Sequence, residues 1–366
     1  MFFIKLFVAL LLTLALVVYL VNLNIKSKVN PIEDVTTAPY KNAKFHNTAP
    51  RKPMTFSDTA ALWVRFFTDK KVDTVPNIDI PVRAISRADL DDLSTDTIHL
   101  VKLGHSSILL KMYGKYWLID PVFSDRASPF QFIGPKRFHQ PPIRLEDLPP
   151  IDKVLISHNH YDHLDKASIK VLRDKAQEFL VPKGVDGDLV DWGVEANKII
   201  SFDWWQEHQT GQGLVAFTPT QHFSGRGMGD GNATLWGAWV IKTPHESLFF
   251  SGDSGYFSGF KETGDKYGPF DLTMIETGAY DKDWADIHMK PEESVQANID
   301  LQGKTMMPIH NGTFDLAFHT WHDPFDRVVV EAKARNVTLS TPEFGRIFSI
   351  QDLPPLTPWW QKGSTK

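Results

Sequence analysis

Ser157-His158-Asn159-His160-Tyr161-Asp162-His163 sets four side chains of metal-ligand type within six consecutive residues. The run before it, Lys153-Val154-Leu155-Ile156, is short, apolar and β-branched, and reads as a buried strand. Beyond it, Leu164, Ala167, Val171 and Leu172 recur at helical spacing, so the histidines occupy a strand-to-helix loop. His158 and His160 are two apart and point the same way from extended backbone, whereas Asp162 and His163 enter a different turn. Two clusters on one loop imply two metals. Core filling explains the stretch poorly, because a buried imidazole or carboxylate without a partner loses on the order of a few kcal/mol of solvation.

The remaining chain fits a globular protein. Of its 366 residues 42% are hydrophobic and the net charge is -5, which argues against a nucleic-acid partner recruited by a basic surface. With no cysteine, a metal has only His, Asp and Glu to hold it. Residues 1–23 carry a single charge, at Lys5, and are otherwise apolar through Val21. They are expected to form a transmembrane helix, placing the protein in a membrane as a single-pass anchor. Tyr19-Leu20-Val21-Asn22 makes a poor cleavage site, which favours an anchor over a removable signal peptide. Lys5 on one flank and Lys26, Lys28 and Lys41 on the other leave the orientation open.

Residues 24–95 read as a linker and N-terminal extension, polar and weakly patterned apart from a short helix near Ala60 to Phe67. A hydrolase-type domain is expected over 96–350, with a C-terminal tail at 351–366. Ile98 to Leu103, Ser107 to Met112 and Lys115 to Asp120 are predicted as successive strands, with Tyr113-Gly114 as a turn. The stretch from Asp120 to Pro150 is predicted as one long loop. Later strands deliver Gln221-His222, Gly252-Asp253 and Ile309-His310, each beside glycine or serine. Four strand ends carrying His or Asp are expected where one rim of a sheet sandwich holds a metal centre.

In this order His158, His160, Asp162, His163, His222, Asp253 and His310 resemble the pattern of the metallo-β-lactamase superfamily. Within it the chain is most similar to the N-acylphosphatidylethanolamine-hydrolysing phospholipase D family. That likeness rests on DPVFSDRASPFQFIGPKRF at 120–138, LPPIDKVLISHNHYDHLD at 148–165, DWW at 203–205, TPTQH at 218–222, GDSGY at 252–256 and GPFDL at 268–272. The resemblance covers about residues 98 to 320. It implies an α/β (α+β) fold, a four-layer αββα sandwich, here preceded by the transmembrane helix.

The same resemblance implies two Zn²⁺ ions. His158, His160 and His222 would hold one and Asp162, His163 and His310 the other, with Asp253 bridging. Two zinc ions bring four positive charges, of which Asp162, Asp253 and a bridging hydroxide remove three, leaving a positive face for a phosphodiester. The implied reaction is hydrolysis of N-acylphosphatidylethanolamine to N-acylethanolamine and phosphatidic acid by that metal-bridging hydroxide, with Asp162, Asp253 and His288 as catalytic residues. His288 in ADIHMKPEESVQ matches a position beside the substrate phosphate, and Arg226 is a candidate headgroup contact, with Arg126, Lys136 and Arg137 as weaker ones. His105 and Asp120 match supports that orient ligand imidazoles. Residues 279–287, with Asp281, Asp283 and Asp286, are more acidic than the family pattern leads one to expect, which bears on headgroup preference. Implied partners are a phospholipid substrate and a membrane met through the N-terminal helix, but no nucleic acid; a homodimer is admitted. Two other functions fit the same residues: a lactonase similar to those acting on ascorbate 6-phosphate, and a metal-binding envelope protein without turnover.

Overall fold

Two seven-stranded sheets dominate the chain. This computed structural model describes residues 2–51 and 55–361, with the side chains of 2–5 and 8 outside that description. N-terminal to the sheets lie helix α1 (Phe2–Ile25), a two-stranded ribbon of β1 (Tyr40–Lys41) and β2 (Lys44–Phe45), and helices α2 (Phe56–Thr68) and α3 (Arg87–Asp91). The first sheet contains β3 (Ile98–Gly104), β4 (Ser107–Met112), β5 (Lys115–Ile119), β6 (Ile151–Leu155), β7 (Ala176–Pro182) and β8 (Ile199–Phe202). The second contains β9 (Glu207–Thr210), β10 (Gly213–Thr218), β11 (Ala238–Lys242), β12 (Ser247–Phe250), β13 (Phe270–Glu276), β14 (Gly303–Ile309) and β15 (Thr338–Leu339). A last strand, β16 (Ile347–Ser349), returns to pair antiparallel with β3.

Alternation along the strands assigns each residue to a layer. In the first sheet Leu110, Trp117, Ile119, Leu155 and Leu180 face the second sheet and meet Phe217, Trp239, Phe250, Met274 and Met307 from it. Their neighbours Leu109, Leu118, Val154 and Phe179 point the other way, onto Ile169 and Leu172 of α4 (Lys166–Leu172) and Leu189 of α5 (Asp186–Asp191). The second sheet likewise covers its outer face with α6 (Gly259–Tyr267), α7 (Pro291–Asp300) and α8 (Asp323–Ala334), through Phe260, Val295, Ala297 and Val328. This is a mixed α/β sandwich. Trp204, Trp236 and Trp239 are buried in its core, whereas Phe132 stands 80% exposed.

The expected strands near 98–120 and the helix-bearing loop at 157–165 lie where the sequence puts them. Helix α2 is longer than expected, begun by Thr55, which accepts from Asp58 N in a capping box. The C-terminal segment is no loose tail up to residue 361: Trp359 and Trp360 are buried against Phe325 and Phe344, while 362–366 lie outside the described residues.

The N-terminal expectation needs correction. Among the described residues no helix is long and apolar enough to cross a membrane, which overturns the single-pass anchor and the membrane location drawn from it. Moreover, the end of α1 is polar and docked. Asn22 donates to Met228 O at 3.2 Å and accepts from Met228 N at 2.6 Å. Ser27 N donates to Asp230 at 2.8 Å and Lys28 N to Asp188 at 2.7 Å.

Docking is close enough to demand glycine: a Cβ on Gly187 would lie 1.8 Å from Lys28 O. Gly187→Ala should therefore displace the 22–30 segment and cost about 1–3 kcal/mol. The readouts are faster limited proteolysis within 24–35 and a lower Tm.

Candidate metal centre

Five loops at one rim of the sandwich bring the metal-type residues together. His158, His160, Asp162 and His163 follow β6, His222 follows β10, Asp253 follows β12 and His310 follows β14. His105 sits in the β3–β4 turn. His105, Asp120 and His310 adopt positive φ of 49°, 43° and 62°, a left-handed conformation that non-glycine residues take at some cost and that points these side chains inward.

Two groups form, each with ligand atoms all within 4.8 Å of one another: His158, His160, His222 and Asp253, and His105, Asp162, His163 and His310. In the first, His158 Nε2 and His222 Nε2 lie 2.9 and 3.2 Å from His160 Nδ1. Those are close to the ~3.3 Å that two imidazole nitrogens take across a tetrahedral zinc bound at ~2.0–2.1 Å. Asp253 lies between the groups. Its Oδ1 is 3.1 Å from His163 Nε2, and its Oδ2 is 3.1 Å from His310 Nε2 and 3.7 Å from His158 Nε2. His310 Nε2 also meets Asp162 Oδ2 at 3.1 Å.

The residues fit divalent cations on three grounds. Three imidazole nitrogens converge without enough hydrogens to satisfy one another. His163 Nε2 and Asp253 Oδ1, both buried, face each other at 3.1 Å without hydrogen-bond geometry. Charges are also poised for exchange. Burial lowers every imidazole here, yet Asp253 and Asp162 outweigh it at two of them: His163 is held well above its usual range and His310 is pushed up to about 10. Burial likewise pushes Asp162 and Asp253 up, but His163 and its neighbours hold both well below the usual carboxylate range. His158 and His222 are driven well below theirs by burial, and His160 to about 4, so all three are neutral lone-pair donors.

Other ring nitrogens fix the orientation. Asp120 accepts from His163 Nδ1 at 2.7 Å and is itself held by Ser157 N at 2.7 Å. His222 Nδ1 bonds Ile287 O at 3.0 Å. Asp120 thus lies where the sequence expects a support. His105 Nε2 meets Asp162 Oδ2 at 3.1 Å and falls within the second group of ligand-type atoms. Arg226, only 9% exposed, donates from Nη1 to Asn159 O at 2.7 Å and Leu164 O at 2.8 Å, bracing the loop from beneath.

Two partners have no counterpart in the sequence reading. Glu276 ends β13 inside a third group with Asp253, His288 and His310, accepts from Ser254 N at 2.6 Å and pairs with His288 Nδ1. Burial and the nearby Asp253 raise its carboxyl well above the usual range, and burial pushes His288 down to about 4. Its one signal is a lone acid closing the apolar run Leu272 to Ile275. Asn47, from the N-terminal extension, pins His222 by accepting from its N at 3.1 Å and donating to its O at 2.9 Å.

Fold and rim together define a metal-dependent hydrolase. A family model described as "Beta-lactamase superfamily domain" matches residues 116–311. An uncharacterized protein of Mycobacterium tuberculosis is 43% identical over 262 residues, 70% of each chain. The N-acyl-phosphatidylethanolamine-hydrolyzing phospholipase D 1 of Caenorhabditis elegans is 32% identical over 302 residues, 78% of this chain and 83% of the relative. Among solved structures, a metallo hydrolase from Ignicoccus hospitalis shares the fold at 22% identity and a TM-score of 0.53, covering 69% of this chain and 97% of that one. The chain belongs to the metallo-β-lactamase superfamily and, within it, to the family of the N-acylphosphatidylethanolamine-hydrolysing phospholipases D.

Asp120→Asn keeps the shape but removes the carboxylate that holds His163 Nδ1. It should weaken metal binding 10–100-fold. Competition titration with a chromophoric chelator measures this, with Tm in chelator-free buffer as the control for folding.

Proposed function

We propose that the protein is a phosphodiesterase of phospholipase D type that hydrolyses N-acylphosphatidylethanolamine to N-acylethanolamine and phosphatidic acid, using two zinc ions. The observation that carries this reading is the sharing of Asp253 between the two buried His/Asp groups, with the His288–Glu276 pair beside them. The worm relative's name gives the substrate class. A bound metal pair would supply Lewis acidity, lowering the pKa of a water nucleophile and polarising the phosphoryl oxygens.

The remaining chemistry belongs to the chain. Asp253 keeps the two groups in register through its two oxygens. His288 stands 5.1 Å from the His222 ring and 5.4 Å from the His310 ring, centroid to centroid, next to both groups. Glu276 occupies its Nδ1, so Nε2 is the atom left for substrate. From there Nε2 is placed to donate a hydrogen bond to a phosphoryl oxygen or a proton to the leaving alkoxide.

His288→Asn should lower kcat 10²–10⁴-fold with metal content unchanged. His160→Ala should lose both metal and turnover. Incubation with N-acylated and plain phosphatidylethanolamine beside a lactone panel, with products identified by mass, tests the substrate class. Release of N-acylethanolamine and phosphatidic acid supports the reading, and a hydroxy acid from a lactone with no ethanolamide rejects it.

A further inference from the structure

A cavity of about 360 Å³ lies outside the metal centre, and none of the metal-type residues lines it. Its walls are the end of α1, the loop around Ser124 to Gln131, the first turns of α4, Trp192 and Arg226. Lys26, Lys28, Arg126, Lys166, Lys170 and Arg226 contribute six cations against Asp165, Asp188 and Asp191. That excess of positive charge is unusual in a chain of net charge -5.

Several of these charges are already used. Asp165 accepts from Ser124 N at 3.0 Å and from Ala167 N at 3.1 Å, and Asp188 accepts from Lys28 N. Lys28 Nζ donates to Leu23 O at 2.9 Å and Arg126 Nε to Gln131 O at 3.2 Å. Among the described residues, no hydrogen bond or ion pair engages the ammonium groups of Lys26, Lys166 or Lys170. Arg226 is different again: its guanidinium is buried, held 4.0 Å from the centroid of the Tyr161 ring and 5.1 Å from that of Trp192. Nη1 donates to two backbone carbonyls, and the guanidinium also interacts with the Tyr161 side chain.

Asp188, Asp165 and Asp230 offset the Arg226 charge in part, whereas Lys170 and Arg226 add like charge beside Lys166 that an anion would relieve. Such a set of donors exceeds what one carboxylate can accept and suits a phosphate. Ile25, Pro129 and Phe130 add apolar lining, while the Trp192 ring is faced by Arg226 and by Lys166 Nζ at 5.4 Å. We infer that this cavity binds a phosphate-bearing amphiphile, its head on Lys166, Lys170 and Arg226 and its tail along Pro129 and Phe130. The inference does not depend on which bond the metal centre cleaves. It places a ligand next to the side chain that braces Asn159 and Leu164, on either side of His160 and His163.

Isothermal titration of the full, metal-loaded chain in phosphate-free buffer tests it. The probes are monomeric dihexanoylphosphatidate, inorganic phosphate and dihexanoylphosphatidylcholine. Dihexanoylphosphatidate should bind at least tenfold more tightly than inorganic phosphate, and phosphatidylcholine should give no heat. Lys166→Ala with Lys170→Ala should weaken phosphatidate at least tenfold at unchanged metal content and Tm. Lys170→Glu, at an exposed position of α4, should act in the same direction through charge alone. Affinity unchanged in both variants would place the anion at the metal centre and overturn the inference. Inorganic phosphate binding as tightly as phosphatidate would overturn it as well, since the apolar lining would then contribute nothing.

Discussion

The structure depends on the burial of two carboxylates, Asp162 and Asp253, among imidazoles that have no other use for their inward nitrogens. Taken out of water separately, each group would be expensive. Together they form a cluster whose charges are settled only in pairs: His163 and His310 stay protonated against Asp162 and Asp253, or a cation takes the place of those protons. Such a cluster must be held from outside. Asp120 and Ser157 at β5 and β6, Ile287 O and Asn47 around His222, and Glu276 at the end of β13 supply the outer contacts. The two sheets serve as the frame that lets loops distant in sequence converge at one rim.

Much of this was legible because it is local. The HNHYDH stretch compresses four ligand-type residues into one loop, and His222, Asp253 and His310 each follow an apolar strand with glycine or serine nearby. The alternation that separates Leu109 from Leu110 and Leu118 from Ile119 decides which face of the first sheet meets its partner. What escaped is what only tertiary structure determines. Glu276 looks like the polar end of a strand until Ser254 and His288 arrive from elsewhere. Asn47 lies about 175 residues from the histidine it pins.

Arg226 and the end of α1 are placed by the same contacts. In the fold, both are tied to the same patch: Arg226 N donates to Asp230 at 3.2 Å and Ser27 N donates to that carboxylate too. The N-terminal segment and the metal loop therefore share a scaffold, with Asp230, Gly227 and Gly187 as its contact points. The cationic cavity opens at that junction.

The central claim is that water is delivered to phosphorus, with the N-acylethanolamine as leaving group. Hydrolysis of N-acylphosphatidylethanolamine in H₂¹⁸O by the metal-loaded chain tests it most directly. The account predicts ¹⁸O in the phosphatidic acid and none in the N-acylethanolamine. Label in a released fatty acid or in the ethanolamide, or no phosphatidic acid at all, would contradict it.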